Sequence, residues 1–158
     1  MSEPLALRLA VADDVAAVRR CVDAAYTPYI ERIGRPPGPM TDDYPALIDR
    51  GAVFVAPEDD QSFAAVAVMW PEPDHLFIEN LAVWPDRQGQ GLGTRLIEAC
   101  EAHARALGLD ELRLYTHELM TENLEFYPHR GFTEVDRRTE DGFQRVYFRK
   151  QLGEPPEG

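Results

Sequence analysis

Arg87–Thr94, RQGQGLGT, places three glycines at alternate positions with no lysine among them. A run of this kind lets backbone N–H groups approach phosphate oxygens without a Cβ in the way. Three templates differ in what must surround it. A Walker loop, G-x-x-x-x-G-K-[ST], needs a lysine that reaches the terminal phosphates. Here Thr94 follows Gly93 directly, so that reading fails. A dinucleotide fingerprint, G-x-G-x-x-G, is met by Gly89 and Gly91 but finds Thr94 where its last glycine belongs. Asp110 or Glu111 follows at a suitable distance, but at the start of the next strand rather than at the end where a ribose would sit. The third template, Q/R-x-x-G-x-G/A between a strand and a helix, is matched by Gln88, Gly91 and Gly93. A glycine-rich turn without a ligand is the remaining alternative.

The surrounding pattern says what holds this loop in place. Leu5, Leu7 and Leu9 alternate with small or polar residues and predict a first strand. Asp13 or Asp14 can cap a helix in which Val15, Val18, Val22, Ala25 and Tyr26 recur at helical spacing, running on toward Ile33. GRPPGPM, Gly34 to Met40, reads as irregular, and Thr41 as the N-cap of a short helix through Ile48. Ala52–Ala56, Ser62–Trp70 and His75–Val83 read as strands, the second apolar enough to be covered on both faces. Leu96, Ile97, Cys100, Ala104 and Leu107 form one stripe on a helix from Gly91 to Leu107. Leu109–Thr116 is a strand, and Thr121–Tyr127 a helix closed by Pro128 and Gly131. Phe132–Val135 and Gln144–Phe148 form a final pair. The order predicts an α+β fold, a mixed sheet with helices on both faces, as one domain over residues 1–152. The tail GEPPEG, 153–158, is expected to be disordered.

Composition bounds the function. The 158 residues are enough for one hydrophobic core. A net charge of −12 argues against nucleic acid and is compatible with a cationic substrate, although it also simply keeps a protein soluble. No apolar run has the length of a membrane span, and MSEPLALRLA lacks the build of a signal peptide, so no membrane and a cytoplasmic setting are expected. Cys21 and Cys100 fall in helix-like segments without metal-ligand spacing and read as free, buried thiols, with no metal.

With the strand LFIENLAV before it and the striped helix after it, the glycine loop resembles that of the GNAT acetyltransferase superfamily. Asn123–Tyr127 followed by Pro128–Phe132 is similar to that family's Y-x-x-x-G-F segment, and the element order agrees from Leu5 to Leu152. The resemblance implies a GNAT-like twisted, mostly antiparallel sheet and acetyl-CoA as co-substrate. Gln88, Gly89, Gln90, Gly91, Leu92, Gly93 and Thr94 would hold the pyrophosphate, helped by the helix dipole. The backbone of Leu81, Ala82 and Val83 would take the pantetheine arm, with the Val83 N–H polarising the thioester carbonyl.

The implied reaction is direct transfer of an acetyl group to a primary amine of a small molecule or peptide. It needs an acid for the departing thiolate and a base for the amine. Tyr127 matches the family's acid by its spacing to Gly131 and Phe132; a plain cleft aromatic is the alternative. Glu79, on the face of Leu81 and Val83, is the first base candidate, against a structural hydrogen bond. His117, at the end of the next strand, is the second, acting through a water, against a structural histidine. Met120 stands where many members have a cofactor-contacting asparagine, so Asn123 takes part of that role or caps its helix. Tyr26, Tyr29, Met40 and Tyr44 are expected to line the acceptor site, with Glu31, Asp42 or Asp43 attracting the amine. A non-catalytic acyl-CoA-binding sensor domain is the rival reading. The family often dimerises, so a homodimer is among the implied partners.

Overall fold

The computed structural model describes residues 5–59 and 62–153. The expected tail, apart from Gly153, therefore lies outside the described residues. In chain order the elements are β1 (Arg8–Leu9), α1 (Val15–Ile33), α2 (Gly38–Thr41), α3 (Tyr44–Asp49), β2 (Val53–Pro57), β3 (Phe63–Pro71), β4 (Leu76–Val83), α4 (Leu92–Ala106), β5 (Glu111–His117), α5 (Thr121–His129), β6 (Thr133–Glu140) and β7 (Phe143–Gln151). The strands form one mixed sheet in the order β1-β2-β3-β4-β5-β7-β6. β4 and β5 run parallel; the pairs β1–β2, β2–β3, β5–β7 and β6–β7 are antiparallel. The chain divides into two compact units, Met1–Met69 with Glu79–Ala99, and Trp70–Ile78 with Cys100–Gly158.

In the first unit, α1 buries Val18, Cys21, Val22, Ala25 and Tyr26, the face its sequence period predicts. Full burial of a side chain such as Val18 or Val22 contributes about 1.5–3 kcal/mol. Ala65, Val66, Ala67, Val68 and Met69 of β3 are buried in succession, as a strand covered on both faces requires. Three expectations change here. β1 is only two residues long, not the strand expected from Leu5. It pairs Arg8 with Val55, and further pairing would bring it to Pro57, which has no N–H to give, beside a register shift at Ala56/Pro57. Gly34–Met40 is not wholly irregular, because Gly38–Thr41 forms one helical turn; proline is accepted in a first turn, whose N–H groups have no intrahelical partner. The cap of α3 is Asp43, whose Oδ1 accepts from the N–H of Ala46 at 3.2 Å, while the Thr41 hydroxyl turns back to the carbonyl of Gly38.

In the second unit, Leu112, Leu114 and Thr116 of β5 point to the buried side and Arg113, Tyr115 and His117 to the other. α5 continues through Pro128 to His129, two residues beyond the expected stop. Pro128 sits in the last turn, where it removes only the bond to the Leu124 carbonyl, and bonds from the Arg130 and Phe132 N–H groups to the Tyr127 carbonyl at 2.9 and 3.1 Å close the helix. β6 is eight residues long rather than the short strand expected after Phe132, and nearly all of it is exposed.

Cys21 and Cys100 are buried and unpaired with one another. Burial pushes each thiol up to about 12, Glu101 adding to the effect at Cys100. The thiolate is the reactive form, so iodoacetamide at about pH 8 is expected to spare both in the folded protein and to label both after denaturation. Mass spectrometry checks this, and labelling of either thiol in native protein would contradict the burial.

Candidate active site

The chemistry-bearing residues of the first unit are built on β4. Leu76, Ile78, Asn80 and Ala82 of this strand are buried, while Phe77, Glu79, Leu81 and Val83 are half-buried on the alternate face. Glu79 therefore shares a face with Leu81 and Val83, as strand alternation predicts. After Val83 the chain makes one turn of 3-10 helix, Pro85–Arg87, and enters the glycine loop. Gly89 and Gly91 have φ of 82° and 77°, the left-handed region. A side-chain-bearing residue there costs about 1–2 kcal/mol. A Cβ at either position would meet nothing within 4 Å, so the backbone angle, not crowding, demands glycine. Gly93 lies in the first turn of α4, a helix of 15 residues. The N–H groups of such a first turn have no intrahelical acceptor, and the dipole adds about half a positive charge. Loop and helix together can hold an anion without a lysine.

Side chains brace this loop. Gln88 Nε2 donates to the carbonyl of Val83 at 3.1 Å, and Gln90 Nε2 to that of Asp86 at 3.1 Å. Arg87 Nε reaches Glu58 at 2.8 Å. The Tyr26 hydroxyl donates to the Leu81 carbonyl at 3.1 Å. An arm lying along the end of β4 would thus share the Leu81 and Val83 carbonyls with Tyr26 and Gln88.

The four residues expected to line an acceptor site differ in setting. Tyr29 is half-buried beneath the Arg32 guanidinium, which lies 5.0 Å from its ring centre. Met40 is half-buried in α2, and Tyr26 is tied to β4. Tyr44 is 1% exposed; its hydroxyl donates to the Pro39 carbonyl and accepts from Asn80 Nδ2 at 3.2 Å. Its phenol is held well above the ordinary tyrosine range by burial first, then by the Asp42 carboxylate, with Glu79 and Asp23 adding and the Asn80 hydrogen bond opposing. Tyr44 is a strut between α3, the α2 turn and β4 rather than an open wall. Asp43 spends its side chain on the α3 cap, and Glu31 is exposed. Asn80 went unnoticed in the sequence, though the signal was there: an amide at an inward position of an apolar strand has to be explained.

The second unit carries Tyr127, His117 and Asn123. The Tyr127 ring is buried against Phe126, Phe132 and Phe148, with centroids at 5.3, 5.4 and 5.8 Å. His117 Nδ1 accepts the N–H of Leu119 at 3.0 Å, and the ring stands edge-on to Phe143. Neutral His117 then carries its proton on Nε2, so acting as a base requires giving up the Leu119 bond. Asn123 Nδ2 donates to Thr116 Oγ1 at 2.9 Å, with Met120 Sδ at 3.6 Å. This ties α5 to the end of β5 and does not cap the helix. Among the described residues no group of three or more His, Cys, Asp or Glu is placed to hold a metal ion, and no helix is long and apolar enough to cross a membrane.

Comparison with known proteins adds to this geometry. The family model described as the acetyltransferase (GNAT) family matches residues 18–132. A stretch of 87 residues, 55% of this chain, is 36% identical to N-alpha-acetyltransferase 80 of Mus musculus, and it spans 21% of that protein's length. The PaiA N-acetyltransferase of Thermoplasma acidophilum, solved in complex with coenzyme A, matches with a TM-score of 0.75 at 15% identity, over 93% of this chain and 98% of that one. The ribosomal-protein-S18-alanine N-acetyltransferase of Escherichia coli matches with a TM-score of 0.69 at 21% identity, over 96% of each chain. These structural matches establish the fold.

Proposed function

Because the chain belongs to the acetyltransferase (GNAT) family, we propose that it transfers an acetyl group from acetyl-CoA directly to a primary amine of a small molecule or peptide, working as one domain over residues 1–152. The observation that carries this reading is the loop after β4: two left-handed glycines, Gly89 and Gly91, lead into the 15-residue helix α4. That is a site for a diphosphate that needs no cation.

The chemistry follows from what each step requires. The amine attacks as its free base, so a carboxylate at Glu79 takes its proton, directly or through a water. Nitrogen bonds to the thioester carbon, and the carbonyl oxygen becomes an oxyanion that the Val83 N–H stabilises. The C–S bond then breaks, and the Tyr127 hydroxyl gives its proton to the departing sulfur. Amide and coenzyme A leave. The net charge of −12 favours approach of a cationic acceptor.

The test is thiol release from acetyl-CoA across a panel holding a peptide N-terminus, a lysine side chain, a polyamine, an amino acid and an aminoglycoside. Release with one amine class is the expected result. Saturable acetyl-CoA binding with no release from any amine would favour a non-catalytic acyl-CoA-binding domain instead.

A further inference from the structure

The arginine at the entry of the glycine loop is already engaged. Arg87 stands one residue before Gln88 and two before Gly89. Its Nε donates to Glu58 Oε2 at 2.8 Å, and its Nη2 faces Glu58 Oε1, so guanidinium and carboxylate meet in two parallel bonds. Such a fork fixes direction as well as distance. Glu58 is itself well anchored. It follows Pro57 in the connection after β2, where the N–H groups of Glu58 and Asp59 both donate to the Ser62 carbonyl, at 3.0 and 3.4 Å. Three further braces of the loop are local. Gln88 reaches Val83, Gln90 reaches Asp86, and the Arg87 N–H donates to the Trp84 carbonyl, each spanning five residues or fewer. They hold the loop to its own strand. The Arg87–Glu58 pair spans 29 positions and ties the loop entry to the connection between β2 and β3.

A guanidinium neutralised by a carboxylate offers an anion little net charge. What the pair offers the diphosphate is geometry. Gly89 and Gly91 have to hold left-handed angles, and glycine has more backbone freedom to lose than any other residue. Fixing the entry of such a segment beforehand lowers the ordering cost of binding. The two side chains are 42% and 32% exposed. Pairs this open to water contribute little to global stability, so the effect falls on the loop rather than on the fold.

Resting on the cofactor reading above, we propose that Glu58 is a positioning residue: acting through Arg87, it holds the entry of the glycine loop in the geometry that receives the diphosphate of coenzyme A. A carboxylate that merely competed with the diphosphate for Arg87 would have the opposite effect. Its removal would free a cation and tighten binding, so the sign of the change separates the two roles.

The test is calorimetric titration with coenzyme A and with dephospho-coenzyme A, which lacks the 3′-phosphate. The proteins are the wild type, Glu58→Gln, Arg87→Gln and the double variant. Each single substitution is expected to weaken coenzyme A binding about threefold to tenfold. The double variant should bind no more weakly than either single one, because all three lose the same interaction. Dephospho-coenzyme A should lose affinity by the same factor, and the melting temperature should stay nearly unchanged. Tighter binding by Glu58→Gln, unchanged binding, or losses that add in the double variant would overturn the proposal. So would a loss in Arg87→Gln confined to coenzyme A, which would make Arg87 a direct ligand of the 3′-phosphate. A fall in melting temperature that tracks the loss of affinity would make the pair a fold contact and overturn it too. Wild type that binds neither probe removes the cofactor reading and this role with it. Binding that responds as expected, without thiol release from any amine, removes the transferase reading and leaves the role of Glu58 standing.

Discussion

Tyr127→Phe is expected to lower kcat by about 10²–10⁴ while leaving acetyl-CoA affinity and the fold nearly unchanged. The ring is held by Phe126, Phe132 and Phe148, and phenylalanine keeps every one of those contacts. Only the hydroxyl goes, so the loss of stability should stay near the roughly 0.5–1.5 kcal/mol of one hydrogen bond. A phenol and a thiol titrate within about two units of each other, so proton transfer between them is close to balanced and a tyrosine suits a departing thiolate. The proline after Tyr127 disfavours helical angles at the preceding residue. Here the helix passes through it, and two N–H groups fix the Tyr127 carbonyl, so the backbone that aims the ring is held. Rapid-quench kinetics with a thermal melt on the same sample decides the matter. An unchanged kcat in a folded variant would leave Tyr127 as a core aromatic and move the acid elsewhere.

Glu79→Gln should have the second large effect, a fall in kcat/KM for the amine of about 10²–10³ at neutral pH. A lysine-like amine has a pKa of about 10.4, so less than about one molecule in a thousand is free base at pH 7. An enzyme with a working base is buffered against this; one without it must wait for the free base. The rate of the glutamine variant is therefore expected to climb with pH roughly tenfold per unit up to the pKa of the amine, closing on the wild type from below. A pH–rate profile that stays parallel to the wild type would mean that Glu79 holds structure only. His117→Ala is expected to cost less than about tenfold, because its Nδ1 already accepts the Leu119 N–H. A larger loss at His117 than at Glu79 would reverse the two candidates.

The parts of the site that were legible in the sequence are those set by local rules. Left-handed backbone at Gly89 and Gly91 follows from residue type and spacing. The buried face of α1, that of α4 at Leu96, Ile97, Cys100 and Ala104, and the shared face of Glu79, Leu81 and Val83 follow from helical period and strand alternation, whereas Leu107, expected in the same stripe, lies just past the end of α4 and is 46% exposed. What failed locally failed where two signals competed. Thr41 reads as the cap, and the helix begins two residues later than that reading requires, so that the Ala46 N–H falls to Asp43. Pro128 looks like a stop, and the helix absorbs it because it falls in the last turn, where one bond is lost rather than several. β6 has almost no apolar alternation to read, because nearly every residue along it is exposed; what makes it a strand is its ladder with β7, from Thr133 opposite Arg149 to Glu140 opposite Phe143.

By itself, then, the sequence determined the order of the strands and longer helices, most of the faces that must be buried and the glycine positions of the left-handed loop, since each depends on residues close together along the chain. Tertiary structure alone decided how groups far apart in sequence share their hydrogen bonds. Tyr26 takes the carbonyl of Leu81, Asn123 is held by Thr116, and Tyr44 satisfies Pro39 and so leaves the Asn80 oxygen without a donor among the described residues. A hydrogen bond between side chains depends on distance and direction in space, and neither composition nor periodicity carries that information.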